Sequence, residues 1–193
     1  MIIDIEELIT SNIAKPARYL GNEVGAKHKS WNNADVHWVL TYPEVYELGA
    51  SNLGHIILYN ILNTQAGQLC DRAYLPASDL ATRLRKTNTL LFGLESRHPL
   101  IEFDILGFNL SYELGITNIL EMLDLSGIPL TWQEREFSLK SSSNNSQNNN
   151  LHNFHKNWDY PLIFAGGQTA TSNPEPCADF FDFLALGLSL IHI

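Results

Sequence analysis

The stretch DILGFNLSYELGITNILEMLDLSGIPL, Asp104 to Leu130, decides the fold. Its opening DILGFNL is a short and nearly unbroken apolar run, the pattern of a strand buried on both faces. From Thr117 to Leu125 the apolar residues return every three or four positions, so the period changes to that of a helix. Gly127 and then Pro129 stop the helix, the first by its left-handed freedom and the second by its lost N–H. Strand, turn, helix and stop make up most of a crossover unit, which is how parallel strands are joined.

Working outward, the same alternation recurs on both sides. Val36 to Thr41 (VHWVLT) is β-branched and aromatic and ends at Tyr42-Pro43, so it reads as a strand. After Gly49, the spacing of Leu53, Ile56, Ile57, Asn60 and Ile61 predicts a helix over Ser51 to Leu62, with Ser51 as its cap. A short strand is expected at Ala73 to Pro76, a helix capped by Ser78-Asp79 running to Arg85, and a short strand near Leu91-Phe92. Downstream, Leu162 to Ala165 (LIFA) is a strand running into Gly166-Gly167, and Phe183 to Leu186 is the last. Ile5 to Thr10 has helical spacing, and Lys15 to Glu23 (KPARYLGNE) is an irregular, partly basic turn.

This pattern predicts an α/β, Rossmann-like domain: a mostly parallel sheet with helices on both faces. Such sheets take ligands outside the carboxyl ends of their strands. That rule selects Tyr42 to Gly49, Ser111 to Gly115 and Gly166 to Asn173 as the rim. Residues 1–35 form a lead segment, and residues 36–187 form the domain. The Ser/Asn-rich stretch 138–157 inside it is expected to be a disordered insertion, because it lacks apolar surface to bury. Its His152 and His155 have the spacing of a metal pair, but an asparagine tract gives them no frame.

The chain has 193 residues and a net charge of -9, with no lysine- or arginine-rich stripe. The electrostatic footprint of a nucleic-acid binder is missing from this part of the chain. No apolar run approaches the roughly 20 residues of a spanning helix, and the acidic start MIIDIEELI is unlike a signal peptide. The reading is a cytoplasmic protein with no membrane contact. Cys70 and Cys177, the two cysteines, read as buried and reduced, and they are too few for an iron–sulfur cluster, which takes about four thiolates.

The motifs KPARYLGNE, YPEVYELGASNLG (Tyr42 to Gly54), LESRHPL (Leu94 to Leu100), Asp104 to Leu130 and FAGGQTATSNPEPCADFFD (Phe164 to Asp182), in this order, resemble the amino-terminal region of cobalamin-binding-domain radical S-adenosylmethionine (SAM) proteins. The resemblance implies a Rossmann-like, cobalamin-binding-type domain ahead of a radical SAM barrel. It places the cofactor at Tyr42, Ser111, Glu113, Gly166, Gly167 and Thr169. The glycine pair resembles the one that borders the nucleotide tail of a corrinoid; an ordinary strand-to-helix turn is the alternative. No DxHxxG loop is present, so cobalamin is expected base-off, with no protein histidine and no other metal ligand; His55 lacks the Asp and Gly partners of such a loop. The iron–sulfur cluster and S-adenosylmethionine would belong to the downstream barrel, the partner this domain implies. The chain itself is expected to be inactive, with no assignable catalytic residue.

Other residues carry open readings. Glu44 and Glu47 sit in the first rim loop as candidate acid–base or substrate carboxylates. Glu95, Arg97 and His98 form either a docking or interdomain patch or an exposed loop, and Lys15 with Arg18 meet an anion, meet the downstream domain or are a solvated turn. Residues 188–193 (LSLIHI) depart from the resemblance and are expected to be an artificial tail on a truncated gene model. The alternative to a cofactor-holding domain is a ligand-free Rossmann-like interaction module that packs against a barrel or partner.

Overall fold

A computed structural model describes residues 2–136 and 159–187. The expected insertion 138–157, with His152 and His155, and the tail 188–193 lie outside the described residues.

Five strands form one sheet: β1 (Val36–Tyr42), β2 (Gln68–Tyr74), β3 (Ile105–Asn109), β4 (Leu162–Gly166) and β5 (Phe183–Ala185). Their order is β2-β1-β3-β4-β5, and every pairing is parallel. This is the doubly wound α/β arrangement, with the winding reversing between β1 and β3. The helices are α1 (Ile5–Leu8), α2 (Tyr46–Gly49), α3 (Leu53–Thr64), α4 (Ser78–Thr87), α5 (Gly115–Leu125) and α6 (Gln168–Ser172).

Parallel register puts paired residues on the same side of the sheet, and alternation along each strand then defines two faces. Val39, Leu106, Phe108, Ile163 and Ala165 share one face and are buried in the main core. Leu80 and Leu84 of α4 and Ile119, Met122 and Leu123 of α5 close that core. Trp38, Leu40, Gly107, Phe164, Phe183 and Ala185 lie on the other face, where α3 covers β1 and β2.

The lead segment is part of the same packing. Ile5, Leu8, Ile13 and Tyr19 enter the main core, and KPARY includes a 3-10 turn, Pro16–Tyr19. Gly21 has φ 63, and a Cβ there would stand 2.4 Å from the Leu94 carbonyl oxygen, so this crossing requires glycine. At the amino ends of the strands, Trp31 is sandwiched between His37 (4.0 Å) and His98 (3.7 Å).

Three boundaries differ from the sequence reading, each for a physical reason. α3 is capped by Asn52, whose side chain accepts from the His55 N–H at 2.9 Å, and Ser51 bonds the Leu48 carbonyl instead. β2 begins at Gln68, five residues before the expected strand, because Asp71 and Arg72 interrupt its apolar pattern. Leu91-Phe92 contributes only an isolated antiparallel bridge from Phe92 to Pro99.

Candidate functional site

A cavity of about 710 Å³ opens at the carboxyl ends of β3 and β4 and runs down the face that α3 only half covers. Trp38 and Leu40 of β1 and Gly107 of β3 line it, facing Leu58, Ile61 and Leu62 of α3. At its mouth stand Asn109, Gly166, Gly167, Gln168 and Thr171. A Cβ on Gly107 would lie 2.7 Å from the Phe164 ring, so that ring lies across β3 and forms part of the floor. Gly167 has φ 123, and a Cβ there would stand 2.7 Å from the Leu110 carbonyl oxygen. The β4 turn therefore needs glycine for both its conformation and its close approach to the neighbouring loop.

The six residues expected at a cofactor do not converge on one point. Gly166 and Gly167 line the cavity, and Tyr42 stands next to it, its ring edge-on to His55 at 5.9 Å. The Ser111 hydroxyl turns back to donate to the side-chain oxygen of Asn109, which is itself at the mouth. Glu113 is exposed on its loop. Thr169 is buried beneath the turn, its N–H donating to the Leu110 carbonyl at 3.2 Å, while Thr171 and Gln168 take the lining positions of α6.

The rim carboxylates Glu47 and Glu44 take separate partners. Glu47 is held by Lys15 (3.1 Å) and Arg18 (2.8 Å), and the Arg18 hydrogen bond pulls it down to about 2. That contact also assigns the two basic residues of KPARYLGNE. Glu44 lies 3.4 Å from the Asn118 amide, which donates to the Pro43 carbonyl at 2.8 Å and so ties the first rim loop to α5.

Two polar groups that sequence reasoning set aside or passed over belong to the cavity. His55 is 2% exposed, and its Nε2 has no hydrogen-bond partner. Burial, assisted by the charge of Arg72, lowers its pKa to about 4, so the ring is neutral. Trp38 Nε1 is likewise buried without a partner. Buried polar atoms are nearly always paired, so these two orphans are exceptional; both are sealed behind the cavity wall rather than exposed to the cavity. The signal for His55 was the spacing His55, Tyr59, Asn63, which puts it on the buried stripe of α3.

LESRHPL is neither an exposed loop nor a docking patch where Glu95 is concerned. It runs along the outer edge of β2, and Glu95 is buried against Arg72, accepting its Nε–H at 2.8 Å and its backbone N–H at 2.9 Å. Glu23 reaches the same guanidinium, which stands 4.6 Å over the Tyr59 ring. Asp71, pushed up to about 7 by burial and by Glu95, accepts from the Ser96 N–H (2.8 Å) and hydroxyl (2.6 Å). These bonds let charged residues occupy an edge strand and close that edge to further pairing.

Cys70 and Cys177 are both free and buried, and burial raises both thiols above their ordinary value. Among the described residues no group of three His, Cys, Asp or Glu side chains gathers as a metal site. None of the described helices is long and apolar enough to cross a membrane.

A protein family described as the N-terminal region of radical SAM proteins matches residues 54–189. No curated protein and no solved structure matches the chain. The matched residues run from the start of α3 to beyond β5, and so include every strand except β1.

Proposed function

This chain belongs to the family of radical SAM protein N-terminal regions, and from that premise we propose that it is the cofactor-holding or regulatory domain of a radical SAM enzyme. Such a region implies a downstream catalytic domain. The iron–sulfur cluster and S-adenosylmethionine are assigned to that downstream domain, and this domain to holding a corrinoid beside it.

The observation that carries this reading is the cavity itself. It is apolar, lies at the carboxyl edge of the parallel sheet and begins at the β4 glycine turn. The residues present fit a corrinoid whose ring rests on the rim and whose nucleotide tail enters the cavity. Gly166 and Gly167 would let the tail pass close to the backbone, and Asn109 and Gln168 at the mouth would offer it polar groups. The rim loops carry no DxHxxG histidine, so a corrinoid would be held without a protein histidine. When bound, it supplies the chemistry of its cobalt–carbon bond; the residues of this chain bind it, orient it and keep water from its tail.

Reconstitution of the parent protein with hydroxocobalamin tests the reading. Retention of colour through gel filtration is expected, with the spectrum of a base-off, histidine-free corrinoid. Gly166→Leu should abolish it, because a Cβ there meets Ala185 only at 3.5 Å and the added side chain would fill the mouth without distorting the turn. A colourless wild-type protein would overturn the cofactor assignment.

A second reading, a ligand-free interaction module, rests on a different observation. Leu48 and Leu114 on the first and second rim loops are 55% and 77% exposed, and Leu53 at the start of α3 is 68% exposed. Leucines at a sheet's ligand edge suit contact with another domain. Normal assembly of Gly166→Leu with unchanged function would favour this reading.

A further inference from the structure

The lead segment is fastened to α4 at two points and leaves a gap between them. The Ala14 N–H donates to Asp79 Oδ2 at 2.7 Å, and Arg83 Nη2 donates to the Glu7 carbonyl at 3.1 Å. Asp79 and Arg83 are about one helical turn apart, roughly 6 Å along the axis. The chain from Glu7 to Ala14 is far longer than that span when extended. Leu8 and Ile13 drop into the main core, and the slack leaves a pocket of about 390 Å³ against α4. This pocket shares no lining residue with the cavity beside β3 and β4.

One wall is the Thr10 to Ile13 turn, and the other is a stripe of α4. The spacing of Asp79, Thr82, Arg83 and Lys86 puts them on one side of that helix, while Leu80 and Leu84 are buried in the core. Donors at this pocket outnumber the acceptors they have. Lys86 and the side chains of Thr10, Asn12 and Ser78 make no hydrogen bond or ion pair among the described residues. Arg83 is half-buried and forms no ion pair there either; the Glu7 carbonyl is its partner, and its Nε has none. Asp79, the carboxylate at the pocket, is already engaged, since its Oδ1 accepts the Leu80 N–H at 2.7 Å and its Oδ2 the Ala14 N–H. The amino end of α4 is not the attraction. There the Ala77 N–H donates to the Tyr19 hydroxyl at 3.2 Å, and the two cations lie one to two turns further on.

We propose that this pocket binds a small phosphorylated molecule, with Arg83 and Lys86 holding its phosphate and Thr10, Asn12 and Ser78 completing the donor set. A phosphate dianion offers acceptors only, which is what a group of unpaired donors lacks. It takes arginine as a fork and lysine as a point charge. The volume is at the small end for a ligand pocket and too large for a bare ion, so the phosphate is the anchor of a small molecule. Because the walls belong to the lead segment and to α4, an occupied site ties the Thr10 to Ala14 stretch to the domain. The corrinoid plays no part in it.

The test is titration of the purified protein with inorganic phosphate, phenyl phosphate and acetate at pH 7.5 and fixed ionic strength, followed by backbone amide chemical shifts. Saturable shifts confined to residues 10–14 and 78–86 are expected, with phenyl phosphate binding most tightly and acetate least. Lys86→Gln and Arg83→Gln should each weaken phenyl phosphate about tenfold, the loss of one charged hydrogen bond. Arg85→Gln removes the same charge from the same helix, but Arg85 pairs with Glu121 and Asp124 outside the pocket, so binding should be unchanged. Lys86 is exposed, so its variant keeps the test valid if Arg83→Gln disturbs the fold. The absence of saturable shifts, or an equal loss in Arg85→Gln, would overturn the site. Acetate binding as tightly as phosphate would overturn the phosphate assignment, and phosphate binding as tightly as phenyl phosphate would overturn the small molecule.

Discussion

The two faces of one sheet are built from the same strands and treated differently. On the closed face, Val39, Leu106, Ile163 and Ala165 are fully buried under α4 and α5. On the open face, the neighbouring residues Trp38, Phe164 and Ala185 border a cavity, and Phe183 is nearly half exposed. Adjacent positions along a strand therefore serve different ends. One set is packed in the core of the domain, and the other borders open space. The difference lies in the connections, since three crossovers return over one face and one over the other.

Substitutions on the two faces should show the largest contrast. Leu106→Ala removes a fully buried side chain from the main core and should cost about 3 kcal/mol. Phe183→Ala removes a half-exposed stacked ring and should cost about 1 kcal/mol. Urea denaturation of both variants measures the difference. Equal losses would mean that the open face is as much a part of the core as the closed one.

His55 gives an effect of similar size through pH. Its folded-state value of about 4 lies below the ordinary 6.5, so the folded protein binds fewer protons than the unfolded chain. Stability should fall as pH drops from about 6.5 to about 4, by up to about 3 kcal/mol at 1.36 kcal/mol per unit. His55→Leu should flatten that slope in thermal melts at pH 4.5 and pH 7.

A smaller effect sharpens the closed side. Thr41 is fully buried, and its hydroxyl donates to the Gly107 carbonyl at 2.8 Å, linking β1 to β3. Thr41→Val should cost about 1 kcal/mol, read from the denaturation midpoint. The smallest effect is expected at the amino ends of the strands. There His37 is raised above its ordinary value by its hydrogen bonds to Asp104 and the Trp31 carbonyl, which outweigh its burial. Its stabilisation is fully present below about pH 6.5 and is lost as pH rises through the folded value. His37→Asn should remove that part of the pH dependence and leave the slope due to His55 in place.

Much of the architecture was legible because each element carries its own signal. The strand and helix of Asp104 to Leu130 follow from a change of apolar period within one stretch, and the observed β3 and α5 fall inside it. Gly167 was legible as a special turn, since a glycine pair after a buried strand already indicates close approach. β2 was misplaced because Asp71 and Arg72 look foreign to a strand until Ser96 and Glu95 are seen beside them. Those partners lie 25 and 23 residues away, where no local pattern reaches. Ser111 lies in its expected loop and Thr169 in the helix after the glycine turn, but the Ser111 hydroxyl donates to the Asn109 side chain and the Thr169 backbone N–H to the Leu110 carbonyl, partners that residue type does not reveal.

The sequence by itself determined the class of fold, the glycine turn after β4 and the family-like order of motifs. These depend on local periodicity and on glycines whose backbone needs are local. Only the tertiary structure decided that β1 lies beside β3, that Trp38 and His55 share a cavity, and that one face of the sheet is left open. The physical reason is that burial and hydrogen-bond satisfaction are properties of neighbours in space. His55 is a helical histidine in the sequence; the Tyr42, Tyr74 and Arg72 around it make it a neutral, unpartnered one.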